Sequence, residues 1–150
     1  MAAASLRAQA IRLLARREYA RAELQQKLLA KGGAAEEVRL LLDALIAQGY
    51  LSDVRYAQVA VAHKSKSFAR RHIVESLRAK GLARADIETA LTEAAIDDDA
   101  ALRALWQRRF GRAPVDTRDE ARQVRYLQAR GFALSAILRL IRAGRSDAAR

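Results

Sequence analysis

Apolar residues recur along this chain at intervals of three and four, and each such stripe runs into a glycine. Leu24 and Leu28 precede Gly32, Ile73 and Leu77 precede Gly81, and Val124 and Leu127 precede Gly131. That is the spacing of one buried helical face. A second stripe follows each glycine: Val38 and Leu42, Ile87 and Leu91, Ile137 and Ile141. The residues at the glycine repeat as well, as Leu28-Leu29-Ala30-Lys31-Gly32, Leu77-Arg78-Ala79-Lys80-Gly81 and Leu127-Gln128-Ala129-Arg130-Gly131. The pattern predicts one supersecondary unit used three times, with a period of about fifty residues.

With a further helix ahead of each pair, the pattern predicts helices over 6–17, 20–31 and 35–48, then 53–66, 69–80 and 84–95, then 98–110, 117–130 and 134–143. Glycine tolerates the left-handed backbone that closes a helix, and a basic residue just before it meets the negative end of the helix dipole. Lys31, Lys80 and Arg130 are therefore read as capping residues rather than ligand-binding ones. Ser52 or Asp53 opens the second repeat, Thr117 with Glu120 forms a capping-box pattern, and Pro114 falls in a turn. Asp97-Asp98-Asp99 stands where the seventh helix begins, so these carboxylates are assigned to capping rather than to a cation.

The fold expected is all-α, with three tandem three-helix repeats over 6–52, 53–97 and 98–143, an N-terminal extension 1–5 and a C-terminal tail 144–150. One such repeat is too thin to hide its apolar stripes alone, so stacking into an elongated or curved array is expected. Composition agrees. Of 150 residues 51% are hydrophobic, only one is proline, and strand-favouring aromatics make up 5%.

Charge changes the picture most. There are 28 Lys and Arg against 17 Asp and Glu, a net charge of +11, which points to a polyanionic partner with nucleic acid as first candidate. Solubilising surface charge is the plain alternative. Residues 64–80 hold Lys64, Lys66, Arg70, Arg71, Arg78 and Lys80 against Glu75 alone. Arg71, Glu75 and Arg78 also suit pairing along a solvated helix face. The third repeat holds Arg103, Arg108, Arg109 and Arg112, then Arg118, Arg122 and Arg125, the last three on one helical face. Arginine binds phosphate and carboxylate equally well in two-pronged geometry, so partner identity stays open between nucleic acid and protein. Trp106, Phe110, Tyr126 and Phe132 could stack on single-stranded bases, but their helical spacing favours the core, as it does for Tyr19, Tyr50, Tyr56 and Phe68. The three surfaces differ, with Glu23, His72 and Arg122 nine residues before the respective glycines.

Several enzyme classes are disfavoured. The chain has no cysteine, and His63 and His72 are its only histidines, so neither a metal site, a cofactor nor a hydrolytic triad is expected. It contains no phosphate-binding G-x-x-x-x-G-K-[ST] loop, so any effect on ATP hydrolysis would act through a partner that binds ATP. No secretory apolar run opens the chain and no stretch of about eighteen apolar residues crosses it. A soluble, cytoplasmic, membrane-free protein is expected.

Taken together, these residues resemble the bacterial RecX family, over residues 6–143. The first repeat is similar in Ala10, Ile11, Leu13, Leu14 and Arg17, followed by Arg21, Glu23, Leu24, Leu28 and Gly32. The second begins Gly49-Tyr50-Leu51-Ser52-Asp53-Val54-Arg55-Tyr56-Ala57, and the third carries Trp106, Arg108, Arg109, Phe110 and Gly111, then Arg122, Tyr126, Leu127, Arg130, Gly131 and Phe132. Two positions depart: Ala20 stands in place of a serine-like cap, and Ser67-Phe68-Ala69 in place of a more glycine-rich turn. The resemblance implies a non-enzymatic regulator, acting as a monomer, that binds the RecA filament on single-stranded DNA and inhibits its ATP hydrolysis and strand exchange. Homologous recombination, DNA repair and the SOS response would be modulated through RecA. Contact with RecA or DNA is then expected at Lys64, Lys66, Arg70, Arg71, Arg78, Arg108, Arg109, Arg112, Arg118, Arg122 and Arg125. A sequence-tolerant helical protein that binds DNA, including double-stranded DNA, is the alternative.

Overall fold

The structure, a computed structural model, describes residues 4–150, so Met1, Ala2 and Ala3 of the expected 1–5 extension lie outside the described residues. The described chain is entirely helical and turn, with no strand. Its helices are α1 (Leu6–Arg16), α2 (Arg21–Ala30), α3 (Ala35–Ala47), α4 (Asp53–Lys64), α5 (Arg70–Ala79), α6 (Arg84–Glu93), α7 (Asp98–Arg109), α8 (Thr117–Ala129) and α9 (Leu134–Ala148). Each expected helix is present. The last runs five residues past the apolar pattern that marks it, into the segment expected as a tail, and there Arg145 pairs with Glu120 of α8.

The chain packs as two compact units. One comprises the residues up to Ala60 with Ser76–Ala90, the other Val61–Glu75 with Leu91–Arg150. Helices α4, α5 and α6 therefore each contribute to both. The first unit closes over Ala10, Tyr19, Leu24, Leu28, Val38, Leu42, Leu45 and Leu51. The second closes over Ala69, Leu102, Leu105, Trp106, Leu127, Phe132, Ile137 and Ile141. Ile73, Leu77, Ile87 and Leu91 of the middle stripe are fully buried. Removing one such side chain from water contributes about 1.5–3 kcal/mol, so these stripes outweigh any single cap or surface pair.

Two apolar expectations need correction. Tyr50 is not a core residue but about half exposed. In α8 the residue equivalent to Leu24 and Ile73, counted back from the glycine, is Gln123, and it is fully buried while Val124 is only half-buried. A buried amide needs partners. Gln123 accepts from the Trp106 indole N–H at 2.9 Å and donates to the Arg112 carbonyl at 3.3 Å.

Each of the three repeated glycines closes its helix by the same hydrogen bond. The N–H of the following residue, Gly33, Leu82 or Phe132, returns to the carbonyl of Leu28, Leu77 or Leu127. That closure places Gly32, Gly81 and Gly131 at φ of +94°, +88° and +92°, where a side chain is strained. At the opposite ends, three helices are capped from their own leading residues. Asp97 caps α7 by accepting from Asp99 and Ala100 N–H, and Ser52 accepts from Arg55 N–H. The cap of α8 is Asp116, which accepts from Asp119 N–H at 2.7 Å, one residue before the expected Thr117.

Helices α2 and α5 borrow their caps from far along the chain. Ala20 cannot cap α2, yet the Arg21 N–H donates to Asp53 Oδ1 at 2.7 Å, from the first residue of α4. The Arg70 N–H of α5 likewise donates to Asp98 Oδ1 at 2.8 Å, from the first residue of α7. The Ala69 N–H is taken by the carbonyl of Arg130 at the end of α8. Close approach makes this possible: a Cβ built on Gly131 would stand 2.8 Å from His72 Cβ, and one on Gly81 2.9 Å from Ala22 Cβ.

Gly131→Ala and Gly32→Ala separate the two demands, because around Gly32 there is open space. Gly32→Ala should destabilise by roughly 1–2 kcal/mol through the backbone alone. Gly131→Ala should cost about 1–3 kcal/mol more, since His72 must move. Equal losses in chemical denaturation would show that the α5–α8 approach is unimportant. In the same assay, Leu77→Ala should lose about 2–5 kcal/mol, while exposed Arg71→Ala should stay within about 0.5 kcal/mol of the parent.

Candidate functional site

A short turn, 65–69, joins α4 to α5 and carries Phe68 at its end. The bond from Ala69 N–H to the Arg130 carbonyl draws the end of α8 to that turn. Cations then collect around one ring. Phe68 stacks on His72 with centroids 4.2 Å apart, Lys64 Nζ stands 5.5 Å from the Phe68 centroid, and the Arg130 guanidinium carbon stands 4.8 Å from it. Arg130 also lies 4.9 Å from the Tyr126 ring. From α7, Arg108 donates to the Lys66 carbonyl at 2.7 Å.

These groups line a cleft of about 430 Å³ made by His63, Lys64, Lys66, Ser67, Phe68, Arg108 and Arg130, with no carboxylate among the lining residues. Cation–aromatic contact contributes only about 0.5–1 kcal/mol at exposed sites. Converging like charges in so small a space leaves a positive potential suited to an anion. The cleft holds three of the expected residues, Lys64, Lys66 and Arg108. It also holds Arg130, which sequence reasoning assigned to capping. Arg130 does close α8, but its side chain turns to the rings. The available signal was arginine where the other repeats carry lysine, four residues after Tyr126.

A second group of arginines is differently placed. Asp119 in the first turn of α8 is largely buried and receives Arg122 at 2.8 Å, Arg112 at 3.0 Å and the Val115 N–H at 3.1 Å. The Arg122 hydrogen bond and the Val115 N–H, joined by Arg112, hold its carboxyl down at about 2 against the opposing effect of desolvation. Arg112 and Arg122 are thus each engaged by a carboxylate of the protein itself, although their side chains stay about half exposed. Arg118 and Arg125 share the rim of this cleft of about 410 Å³, and neither pairs with a carboxylate among the described residues. Asp116 and Asp119 make this surface mixed in charge, unlike the cleft at Phe68.

The remaining expected residues scatter. Arg109 lies 5.7 Å from the Phe110 ring and 5.2 Å from Tyr126, two rings that meet edge-on at 5.5 Å. Arg71 pairs at 3.4 Å with Glu75. Arg70 gives its backbone N–H to Asp98, and Arg78 is exposed in the first unit. The aromatic side chains offer little open face to bases: Trp106 and Phe132 are buried, while Phe68, Phe110 and Tyr126 carry cations. The three positions nine residues before the glycines do differ. Glu23 pairs with Arg17 at 2.9 Å, His72 stacks on Phe68, and Arg122 holds Asp119. Among the described residues no group of three His, Cys, Asp or Glu could hold a metal ion, and no helix is long and apolar enough to cross a membrane.

Comparison with known proteins returns three consecutive family models, described as the first, second and third three-helix domains of RecX. They match residues 7–45, 52–91 and 97–141. The chain is similar to the regulatory protein RecX of Pseudomonas savastanoi pv. phaseolicola, 45% identical over 139 residues, covering 91% of this chain and 90% of that protein. The regulatory protein RecX of Pseudomonas syringae pv. tomato is 42% identical over 139 residues, with the same coverage of both. A crystal structure of a regulatory protein RecX shares the fold with a TM-score of 0.70 at 23% identity, covering 92% of this chain and 72% of that one.

The depressed Asp119 carboxyl sets a pH dependence. Its folded value of about 2 lies below the roughly 3.9 of an unfolded aspartate, so its stabilisation is present above about pH 4 and fades as pH falls through about 2. Asp119→Asn should therefore lower the thermal midpoint at pH 7, and the gap from the parent should narrow steadily between about pH 4 and pH 2. A gap that stayed constant down to pH 2 would mean that ionised Asp119 is not what holds the two arginines.

Proposed function

The chain belongs to the RecX family, and on that premise we propose that it regulates the RecA recombinase as a non-enzymatic partner. It binds the RecA filament on single-stranded DNA and lowers the filament's ATP hydrolysis and strand exchange, and through them homologous recombination, repair and the SOS response. The observation that carries this is the match to all three RecX three-helix domains in order along one chain. Supporting it is the excess of cations over acids, much of it on the second unit, in a form that a filament of protein and DNA can meet. With no phosphate-binding loop in the sequence, the chain acts on ATP turnover through RecA. Such a protein works in the bacterial cytoplasm and binds as a monomer.

A helical protein that simply coats DNA is the second reading, favoured by the net charge of +11. Titrating the chain into its cognate RecA on single-stranded DNA decides between them. RecA ATP hydrolysis should fall toward a plateau at stoichiometric amounts, with no hydrolysis by the chain alone. Unchanged RecA turnover, with duplex DNA bound as tightly as the filament, would leave only the DNA-coating reading. Charge reversal of Arg118 and Arg125 should weaken inhibition at least about tenfold if that surface faces the filament, and Arg122 is better left alone because it holds Asp119.

A further inference from the structure

We infer that the cleft between the α4–α5 turn and the end of α8 is a binding site for a phosphodiester of a polynucleotide strand, held by Lys64, Lys66, Arg108 and Arg130. The inference rests on the regulatory reading only in assigning this face to the filament's nucleic acid rather than its protein. Four cations and no acid line the cleft. The arginines around Asp116 and Asp119 form the contrast, because those carboxylates repel a strand.

Three of the four cations are also held in place before any ligand arrives. Arg108 is fixed by the Lys66 carbonyl, Arg130 by the Phe68 and Tyr126 rings, and Lys64 lies over Phe68. Fixed guanidinium groups lose little freedom on binding and match phosphate oxygens two at a time, while lysine adds a point charge. A volume of about 430 Å³ admits a phosphate with its flanking sugars. Bases find no platform, since Phe68 carries His72 and two cations. Recognition is of the backbone and is indifferent to base identity.

The test measures labelled oligothymidylate and oligodeoxyadenylate binding to the full chain by anisotropy across a salt series. Lys66→Gln and Arg130→Gln should each weaken both oligonucleotides about tenfold, as expected for a lost charge-assisted bond. Each should also reduce the slope of log K against log salt by about 0.7. Arg139→Gln removes the same charge from an exposed position of α9 and should leave affinity and slope near the parent. Lys66 decides if Arg130→Gln loosens the fold, because its exposed side chain makes no hydrogen bond or ion pair among the described residues.

Equal weakening by Arg139→Gln would reduce the effect to general charge and overturn the site. So would parent-like binding by folded Lys66→Gln. Displacement of the strand by pyrophosphate at matched ionic strength would make this a free-anion site and remove the polynucleotide. A parallel RecA ATPase titration keeps the readings apart. If the parent chain fails to slow RecA while the cleft variants lose oligonucleotide, the regulatory reading falls and the site stands. If RecA is slowed and the cleft variants bind strand like the parent, only the site falls.

Discussion

The close approach of α8 to the start of α5 is the constraint on which the basic cleft at Phe68 depends. At its centre the Ala69 N–H donates to the Arg130 carbonyl and Gly131 passes His72 with no room for a side chain. Because the carbonyl is fixed there, the Arg130 side chain leaves α8 beside Phe68 and Tyr126 rather than into open water. A residue that ends one helix thereby becomes part of a charged cleft on the turn before another. The same approach supplies α5 with a backbone partner that its own sequence lacks, so one contact serves both stability and surface chemistry.

Around that contact, aromatic rings act as supports for cations. Phe68, Phe110 and Tyr126 each take arginine or lysine on a face, and the Trp106 indole is turned inward to Gln123. Carboxylates decide which cations stay available. Asp119 draws in Arg112 and Arg122 and is held ionised by them, leaving Arg118 and Arg125 at a mixed surface. Where no carboxylate intervenes, at Lys64, Lys66, Arg108 and Arg130, the positive charge is unbalanced. A count of basic residues treats these groups alike, but their neighbours make them chemically different.

Family membership and fold are secured by different observations. Relatives of 42–45% identity carry the family, whereas the solved structure at 23% carries the fold alone. A shared fold leaves surface chemistry free to vary, and the three repeats illustrate this within one chain. Equivalent positions hold Glu23 in an ion pair, His72 against a ring and Arg122 on a buried carboxylate.

The sequence by itself determined the nine helices of the described residues, the three glycines that close helices and most of the apolar stripes flanking them, because a helix is specified by local spacing and each stripe must be buried somewhere. Where it misled, a partner from far along the chain had intervened. Ala20 looks like a missing cap until Asp53 arrives, 32 residues beyond Arg21, and Gln123 looks like a surface residue until Trp106 donates to it. Residues 60 apart or more, such as Phe68 and Arg130, meet only through packing. Their convergence in one cleft, and the separation of the arginines bound to Asp119 from those with no carboxylate partner, were decided by tertiary structure, since electrostatic character depends on which charges lie within a few ångströms and not on their order in the chain.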